Sequence, residues 1–200
     1  MTFKKKLHFL PFIFIFISLS TSAQQRKKDN PLFRFFQTNF DSTIVYYSWS
    51  SWYFYPNYRI VAKKDSSIYF FIYKSPYSLT RGRFFPGNLM EKFALEEGLF
   101  QQTLPDTNRY FLPVFIYPDK RKKAWANINA FDIWQAEEVK NETAKCDVLD
   151  GEENTFYLIA KDSMKVLDYY EAEYFEECGP PNIYRQNAIR TKKEIIAIFK

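Results

Sequence analysis

Residues 153–175, "ENTFYLIAKDSMKVLDYYEAEYF", decide the fold because they place two apolar runs on either side of the polar segment "KDS". Both runs are rich in aromatic and β-branched residues, and such runs joined by a short polar segment are typical of a β-hairpin. The sequence therefore predicts a hairpin over residues 154–173, with its turn at Asp162.

The cysteines support the same hairpin. The chain has two cysteines, Cys146 and Cys178, and their numbers sum to 324. In an antiparallel hairpin that turns at Asp162, residues whose numbers sum to about 324 lie opposite each other. We therefore predict a disulfide between Cys146 and Cys178, which closes a loop of about 33 residues. Their spacing is not that of a C-x-x-C redox pair.

The rest of the chain predicts further strands around this hairpin. Four segments rich in β-branched or aromatic residues are expected to be strands: 43–49, 58–64, 66–74 and 110–118. A turn is expected around Asp65, and Pro113 indicates a sheet edge or a bulge. Both alternating sets of residues 68–73 are apolar, so this strand is expected to be covered on both faces.

Helices are expected at three places. Residues 87–98 have Asn88 as a candidate N-cap, and residues 122–139 show a ragged apolar spacing that is compatible with a helix. Residues 182–199 begin with the candidate cap Asn182 and repeat apolar residues at helical spacing. The predicted fold is an α+β domain, with an antiparallel β-sheet packed by a few helices and closed by the C-terminal helix.

The first residues indicate export. Three lysines at residues 4–6 precede an apolar run at residues 7–19, and a small-x-small pattern ends at Ala23. The run is shorter than the roughly 20 residues needed to span a bilayer. The sequence predicts a signal peptide at 1–23, a flexible polar tail at 24–30 and a single domain at 31–200. After cleavage following Ala23, the protein is expected to be periplasmic or extracellular and not membrane-embedded.

Cleavage would change both the charge and the available chemistry. It removes three lysines and lowers the formal net charge from +5 to +2, that is, 25 basic minus 23 acidic residues. This charge gives little support for nucleic-acid binding. The only histidine, His8, is also removed, and with it the imidazole of a Ser-His-Asp triad or a zinc site. The sequence therefore favours a non-enzymatic protein and predicts no metal and no cofactor.

The segment "YYSWSSWYFYP", residues 46–56, contains the candidate binding residues Trp49, Trp52, Tyr53 and Tyr55. Exposed rings of this kind can stack on the pyranose rings of a glycan. Aromatic residues are also favoured in ordinary strands, so core packing and strand pairing also explain the segment. Both interpretations stay open, and core packing is the favoured one.

Two groups of charged residues also allow a functional and a simpler interpretation. Glu171 and Glu173 are expected on one face of the second hairpin strand, where two carboxylates could meet the spacing that glycoside hydrolysis needs. An exposed strand face is the simpler interpretation. Lys120, Arg121, Lys122 and Lys123 could contact an acidic polymer or phosphates. A solvated loop or the start of a helix is again simpler.

The leading hypothesis is an exported, non-enzymatic binding or interaction domain. One alternative is a glycan-binding or carboxylate-based glycan-acting protein. Another is an inhibitor or immunity-type protein that blocks an enzyme. The expected partner is accordingly a glycan or another protein, and no residue motif decides between them.

Overall fold

The structure is a computed structural model that describes residues 30–50, 57–74, 87–89, 91–93, 95–96, 110–139, 146 and 148–200. The predicted signal peptide and all of the predicted polar tail except Asn30 lie outside these residues. Trp52, Tyr53 and Tyr55 also lie outside them.

A six-stranded antiparallel sheet forms the centre of the fold, with the spatial order β4-β3-β2-β1-β5-β6. Its strands are β1 (Ser42–Trp49), β2 (Tyr58–Lys64), β3 (Ser67–Tyr73), β4 (Phe111–Pro113), β5 (Glu153–Ala160) and β6 (Met164–Tyr170). The predicted turn between β2 and β3 is present, and Asp65 adopts a positive φ of 53° within it. The α+β class and the antiparallel sheet are confirmed.

The predicted hairpin is formed by β5 and β6. Asn154 faces Tyr169 and Ile159 faces Met164, so the numbers of facing residues sum to 323. The disulfide between Cys146 and Cys178 is present, with Cα atoms 6.0 Å apart. Both cysteines lie beyond the ends of the strands, so the disulfide brackets the hairpin without belonging to its ladder.

Four helices pack on the sheet: α1 (Pro31–Asn39), α2 (Pro118–Ala130), α3 (Ala172–Cys178) and α4 (Ile183–Ile198). The predicted C-terminal helix is α4, and the side chain of Asn182 caps it by accepting hydrogen bonds from the backbone N–H groups of Tyr184 and Arg185. Residues 89, 91–93 and 95–96 are also helical. There the Lys92 N–H donates to the Asn88 carbonyl at 3.0 Å, in agreement with the predicted start of that helix.

Helix α1 covers one face of the sheet and was not predicted. Asn30 caps it by accepting a hydrogen bond from the Leu32 N–H at 2.9 Å, and Pro31 occupies the first turn, where no N–H is needed. Its buried residues Leu32, Phe33 and Phe36 pack into an aromatic core on that face of the sheet. The other core residues are Phe40, Val45, Tyr58, Ile60, Ala62, Tyr73, Tyr157 and Ile159.

The opposite face carries the other three helices. Ala124 and Ile128 from α2, Ala172 from α3 and Ile195 from α4 pack over this core. The strands contribute Ile44, Tyr46, Val61, Ile68, Phe70, Phe156, Leu158, Leu167 and Tyr169. Because helices cover both faces, β1 and β5 are buried on both sides, which explains their nearly continuous apolar sequences.

Three predictions of elements need correction. The strand expected at 110–118 is only Phe111–Pro113, at the sheet edge that Pro113 indicated. The helix expected at 122–139 begins earlier, because Pro118 favours a first helical turn, and ends at Ala130 before a turn with Asp132 at a φ of 50°. Residues 68–73 are not fully covered, since 40% of Tyr69 is exposed beyond the reach of the short strand β4.

Candidate functional site

The aromatic segment 46–56 is only partly described. Tyr46 is completely buried, and its hydroxyl donates a hydrogen bond to Asn154 Oδ1 at 2.7 Å. Trp49 ends β1, is half-buried and pairs with Glu153. Core packing therefore holds for Tyr46. A binding role for Trp49 and its neighbours Trp52, Tyr53 and Tyr55 stays a prediction.

The predicted placement of Glu171 and Glu173 on a strand face is wrong. Strand β6 ends at Tyr170, and Glu171 turns the chain into α3 through a left-handed conformation with a φ of 42°. Glu173 lies in the first turn of α3. The turn is fixed by two hydrogen bonds to the backbone of Glu152, since the Glu171 N–H donates to the Glu152 carbonyl at 2.8 Å and the Glu171 carboxylate accepts from the Glu152 N–H.

Gly151 is required beside this turn. A Cβ atom at this position would collide with the side chain of Glu171 and lie 2.8 Å from the ring of Tyr170. The Gly151 N–H also donates to the Tyr170 hydroxyl at 2.8 Å, and that hydroxyl donates to the Val148 carbonyl at 3.0 Å. The segment before β5 is therefore a compact, hydrogen-bonded turn.

Glu173 instead takes part in an ion-pair cluster with Lys192, Glu152 and Ser48, which we call the Lys192 cluster. Lys192 Nζ lies 2.6 Å from Glu152 Oε2 and 3.2 Å from Glu173 Oε1. The Ser48 hydroxyl donates to the other oxygen of Glu152. Only 12% of the Lys192 side chain is exposed. Its contacts link α4 to α3 through Glu173 and to Glu152, which precedes β5, and Glu152 in turn contacts Ser48 near the end of β1.

The electrostatics of this cluster do not favour acid catalysis. Burial raises the pKa of the Glu152 carboxyl, but hydrogen bonds from Lys192 and Ser48 outweigh burial and hold the pKa below its usual value. A glycosidase acid needs a raised pKa so that it carries a proton near neutral pH. Lys192 also lies within 3.3 Å of both carboxylates. The cluster therefore has the arrangement of a structural ion pair.

A second site lies on the helical side of the sheet. We call it the α2–α4 groove: a hollow of about 500 Å³ between helices α2 and α4, next to residues 115–117. Phe115 and Tyr117 line it, and 73% and 66% of these residues are exposed. Ile116, Ala124, Ala197 and Ile198 are its other apolar lining residues. The expectation of a strand at 110–118 did not reveal that Phe115 and Tyr117 line a groove. The alternation of the segment does predict that these two residues lie on the same side.

Phe115 separates this groove from a neighbouring hollow of about 270 Å³, which we call the β3 hollow. It is lined by Ile68, Tyr69, Phe70, Phe71, Pro113, Val114, Phe115 and Arg121. The Phe115 ring is held from two sides, because its centroid lies 5.5 Å from that of Tyr117 and 5.4 Å from the Arg121 guanidinium carbon. Arg121 is itself fixed, since its Nε donates to the Ile116 carbonyl.

The rim of the groove is cationic. Lys120, Lys123 and Lys200 line it, and Glu194 is the one acidic side chain among its lining residues in the described part of the chain. Glu194 Oε1 accepts a hydrogen bond from Asn127 Nδ2 at 3.1 Å. No ion pair joins the three lysines to a carboxylate of the described residues. The basic segment that the sequence singled out thus lies on the first turns of α2, where two of its lysines face the groove.

The comparisons add no functional information: no protein-family model matches the chain, and the searches of curated proteins and of solved structures found no match. None of the helices in the described part of the chain is long and apolar enough to span a bilayer. The described residues contain no group of three or more His, Cys, Asp or Glu side chains arranged to hold a metal ion.

Proposed function

We propose that this protein is an exported, non-enzymatic interaction domain that binds a polypeptide partner at the α2–α4 groove. Export is supported by the predicted signal peptide and is consistent with the disulfide between Cys146 and Cys178. After cleavage following Ala23, the domain works in the periplasm or outside the cell. An enzyme that the domain inhibits would be one such partner.

Phe115 and Tyr117 are largely exposed on the wall of the α2–α4 groove, and this exposure is the main support for the proposal. Leaving large aromatic side chains in water forfeits the free energy of their burial, roughly 25 cal/mol per Å². The two rings are in contact with each other, and Arg121 stacks on one of them, so little side-chain entropy is lost when a partner covers them. Pre-ordered aromatic residues of this kind dominate the energetics of many interfaces.

A glycan is the second candidate ligand, and it would bind at a different surface. Trp49 ends β1 and is half-buried. A partly exposed aromatic ring at the end of a strand offers a stacking surface for a sugar. On this alternative, Trp49, Trp52, Tyr53 and Tyr55 would form the stacking surface.

Selection from a random peptide library displayed on phage tests the main proposal. The mature protein, residues 24–200, should enrich peptides that no longer bind the double variant Phe115→Asp/Tyr117→Asp. Leu149→Asp is the matched control, because 87% of Leu149 is exposed and it lies outside both hollows. Failure to enrich any peptide, or equal binding to the double variant with an intact circular dichroism spectrum, would contradict a binding role for the groove.

A further inference from the structure

We infer that the partner segment is acidic and carries two apolar side chains, one seated in the α2–α4 groove and one in the β3 hollow. This inference rests on the proposed function, because it names the chemistry of the ligand at the same surface. Three features of the surface lead to it: its two hollows, its charge and the nature of the neighbouring sheet edge.

The two hollows require two apolar anchors. Phe115 lines both of them, so its ring forms a ridge between the groove and the β3 hollow. The floor of the groove includes Ala124 and Ile198, and the β3 hollow includes Phe70 and Val114. A segment that crosses the ridge can bury one apolar side chain on each side, while a single side chain fills only one hollow. The volumes of about 500 and 270 Å³ indicate that the larger anchor belongs in the groove.

The charge of the surface selects an acidic segment. Lys120, Lys123 and Lys200 line the groove and Arg121 lines the β3 hollow, whereas Glu194 is the one acidic side chain among the described lining residues. Such an excess of one sign repels a basic segment and attracts carboxylates placed beside the anchors. Arg121 also stacks on Phe115, so part of its guanidinium edge is already positioned next to the ridge.

The neighbouring sheet edge indicates that side chains, and not an added strand, make the contact. Strand β4 has only three residues and lies at the edge of the sheet. Its hydrogen bonds to β3 flank the strand at Tyr110 and Val114, so Phe111 and Pro113 present their backbone groups away from β3. Pro113 has no N–H to donate, which removes a contact that an incoming strand would need. The binding free energy must therefore come from the hollows and their charged rim.

Fluorescence anisotropy with synthetic peptides tests the inference. The probe is a set of fluorescein-labelled peptides of about twelve residues that contain two phenylalanines at varied spacing and four aspartates. The first comparison set has four lysines in place of the aspartates, and the second has serine in place of one phenylalanine. The best acidic peptide should bind at least about tenfold more tightly than either counterpart, a difference of about 1.4 kcal/mol.

A charge reversal in the protein sharpens this test. The double variant Lys120→Glu/Lys123→Glu should weaken the acidic peptide by about tenfold and strengthen the lysine peptide, because several screened ion pairs each contribute a modest amount. Lys165→Glu is the control, since Lys165 is exposed on β6 at the other edge of the sheet. Affinity for the acidic peptide should fall with added salt in the wild type.

The outcomes separate this inference from the proposed function. If library selection yields peptides that depend on Phe115 but are neutral or basic, the interaction domain stands and the acidic ligand is wrong. Equal binding of the acidic and lysine peptides, or of the one-anchor and two-anchor peptides, also overturns the inference. If the protein binds none of the peptides but sediments with phosphatidylglycerol vesicles, the inference is also overturned, because the surface would then bind lipid.

Discussion

Removing the disulfide should lower stability by an amount that follows from its place in the fold. Cys146 and Cys178 are 32 residues apart, and the loop they close contains the whole β5–β6 hairpin together with α3. In the chain-entropy description, a loop of about 33 residues stabilises the folded state by about 3.7 kcal/mol at 25 °C. For a protein of this size, that free energy corresponds to a decrease in Tm of about 7–15 °C.

The assay compares the mature wild type with the double variant Cys146→Ser/Cys178→Ser by differential scanning calorimetry, with and without a reducing agent. Reduction should lower the Tm of the wild type and leave the Tm of the variant unchanged. Thiol titration of the unreduced wild type in denaturant should find no free thiol. Two titratable thiols, or an unchanged Tm after complete reduction, would refute the bracketed hairpin.

Three further perturbations test other parts of the fold. Arg185→Met should lower the free energy of unfolding, measured by urea titration, by about 3 kcal/mol. The reason is that buried Arg185 donates to the Phe175 carbonyl at 2.7 Å and pairs with Glu176 at 3.3 Å. A decrease of less than about 1 kcal/mol would contradict the importance of these contacts. The pKa of the Glu152 carboxyl is lower in the folded protein than its unfolded value near 4.5. Ionised Glu152 therefore stabilises the fold above that value, and this stabilisation is lost as the pH falls through the pKa of the folded state. Lys192→Met should therefore reduce the acid-side loss of stability, and an unchanged pH profile would argue against the Lys192 cluster. Gly151→Ala should destabilise by about 1–3 kcal/mol in the same titration through its collision with Glu171, and Glu171→Ala in the same chain should recover part of the loss; no loss, or no recovery, would contradict the close approach.

Local patterns in the sequence predicted the local elements of the fold. The hairpin and the cap Asn182 each depend on residues close in the chain, and each is present. The strand β4 is present at the edge that Pro113 indicated, but it covers only Phe111–Pro113 of the expected 110–118. The cysteine spacing predicted the correct disulfide, although the register of the hairpin differs by one residue from the one assumed. Cys146 and Cys178 lie outside the ladder of hydrogen-bonded strand residues. They are nevertheless placed almost symmetrically about the turn of the hairpin.

Two local features were misjudged for physical reasons. Helix α1 had readable signals, namely Asn30 followed by Pro31 and an apolar face of Leu32, Phe33 and Phe36. They were obscured because the segment adjoins the predicted polar tail. The turn at Glu171 had no such signal, because a left-handed conformation is uncommon for glutamate and is here fixed by contacts with Glu152, which directly precedes β5.

The groove could not be predicted from the sequence, because it depends on distant segments. Asn127 and Glu194, which meet across it, are 67 residues apart in the chain. The sequence did single out Lys120 and Lys123 as a basic segment, but only the packing of α4 beside α2 places them on the rim of an apolar hollow. The exposure of Phe115 and Tyr117 likewise follows from the early end of β4, which a run of apolar residues does not reveal.

We propose that the α2–α4 groove, and not the aromatic segment around Trp49, is the surface that binds a partner. Site-specific photo-cross-linking in the native compartment compares them directly, with a benzophenone amino acid placed at Tyr117 in one variant and at Trp49 in another. We expect a discrete protein adduct from position 117, which disappears when Lys120 and Lys123 are also changed to glutamate, and none from position 49. A discrete adduct from position 49 with none from position 117 would contradict this proposal and move the binding surface to the end of β1 that Trp49 occupies.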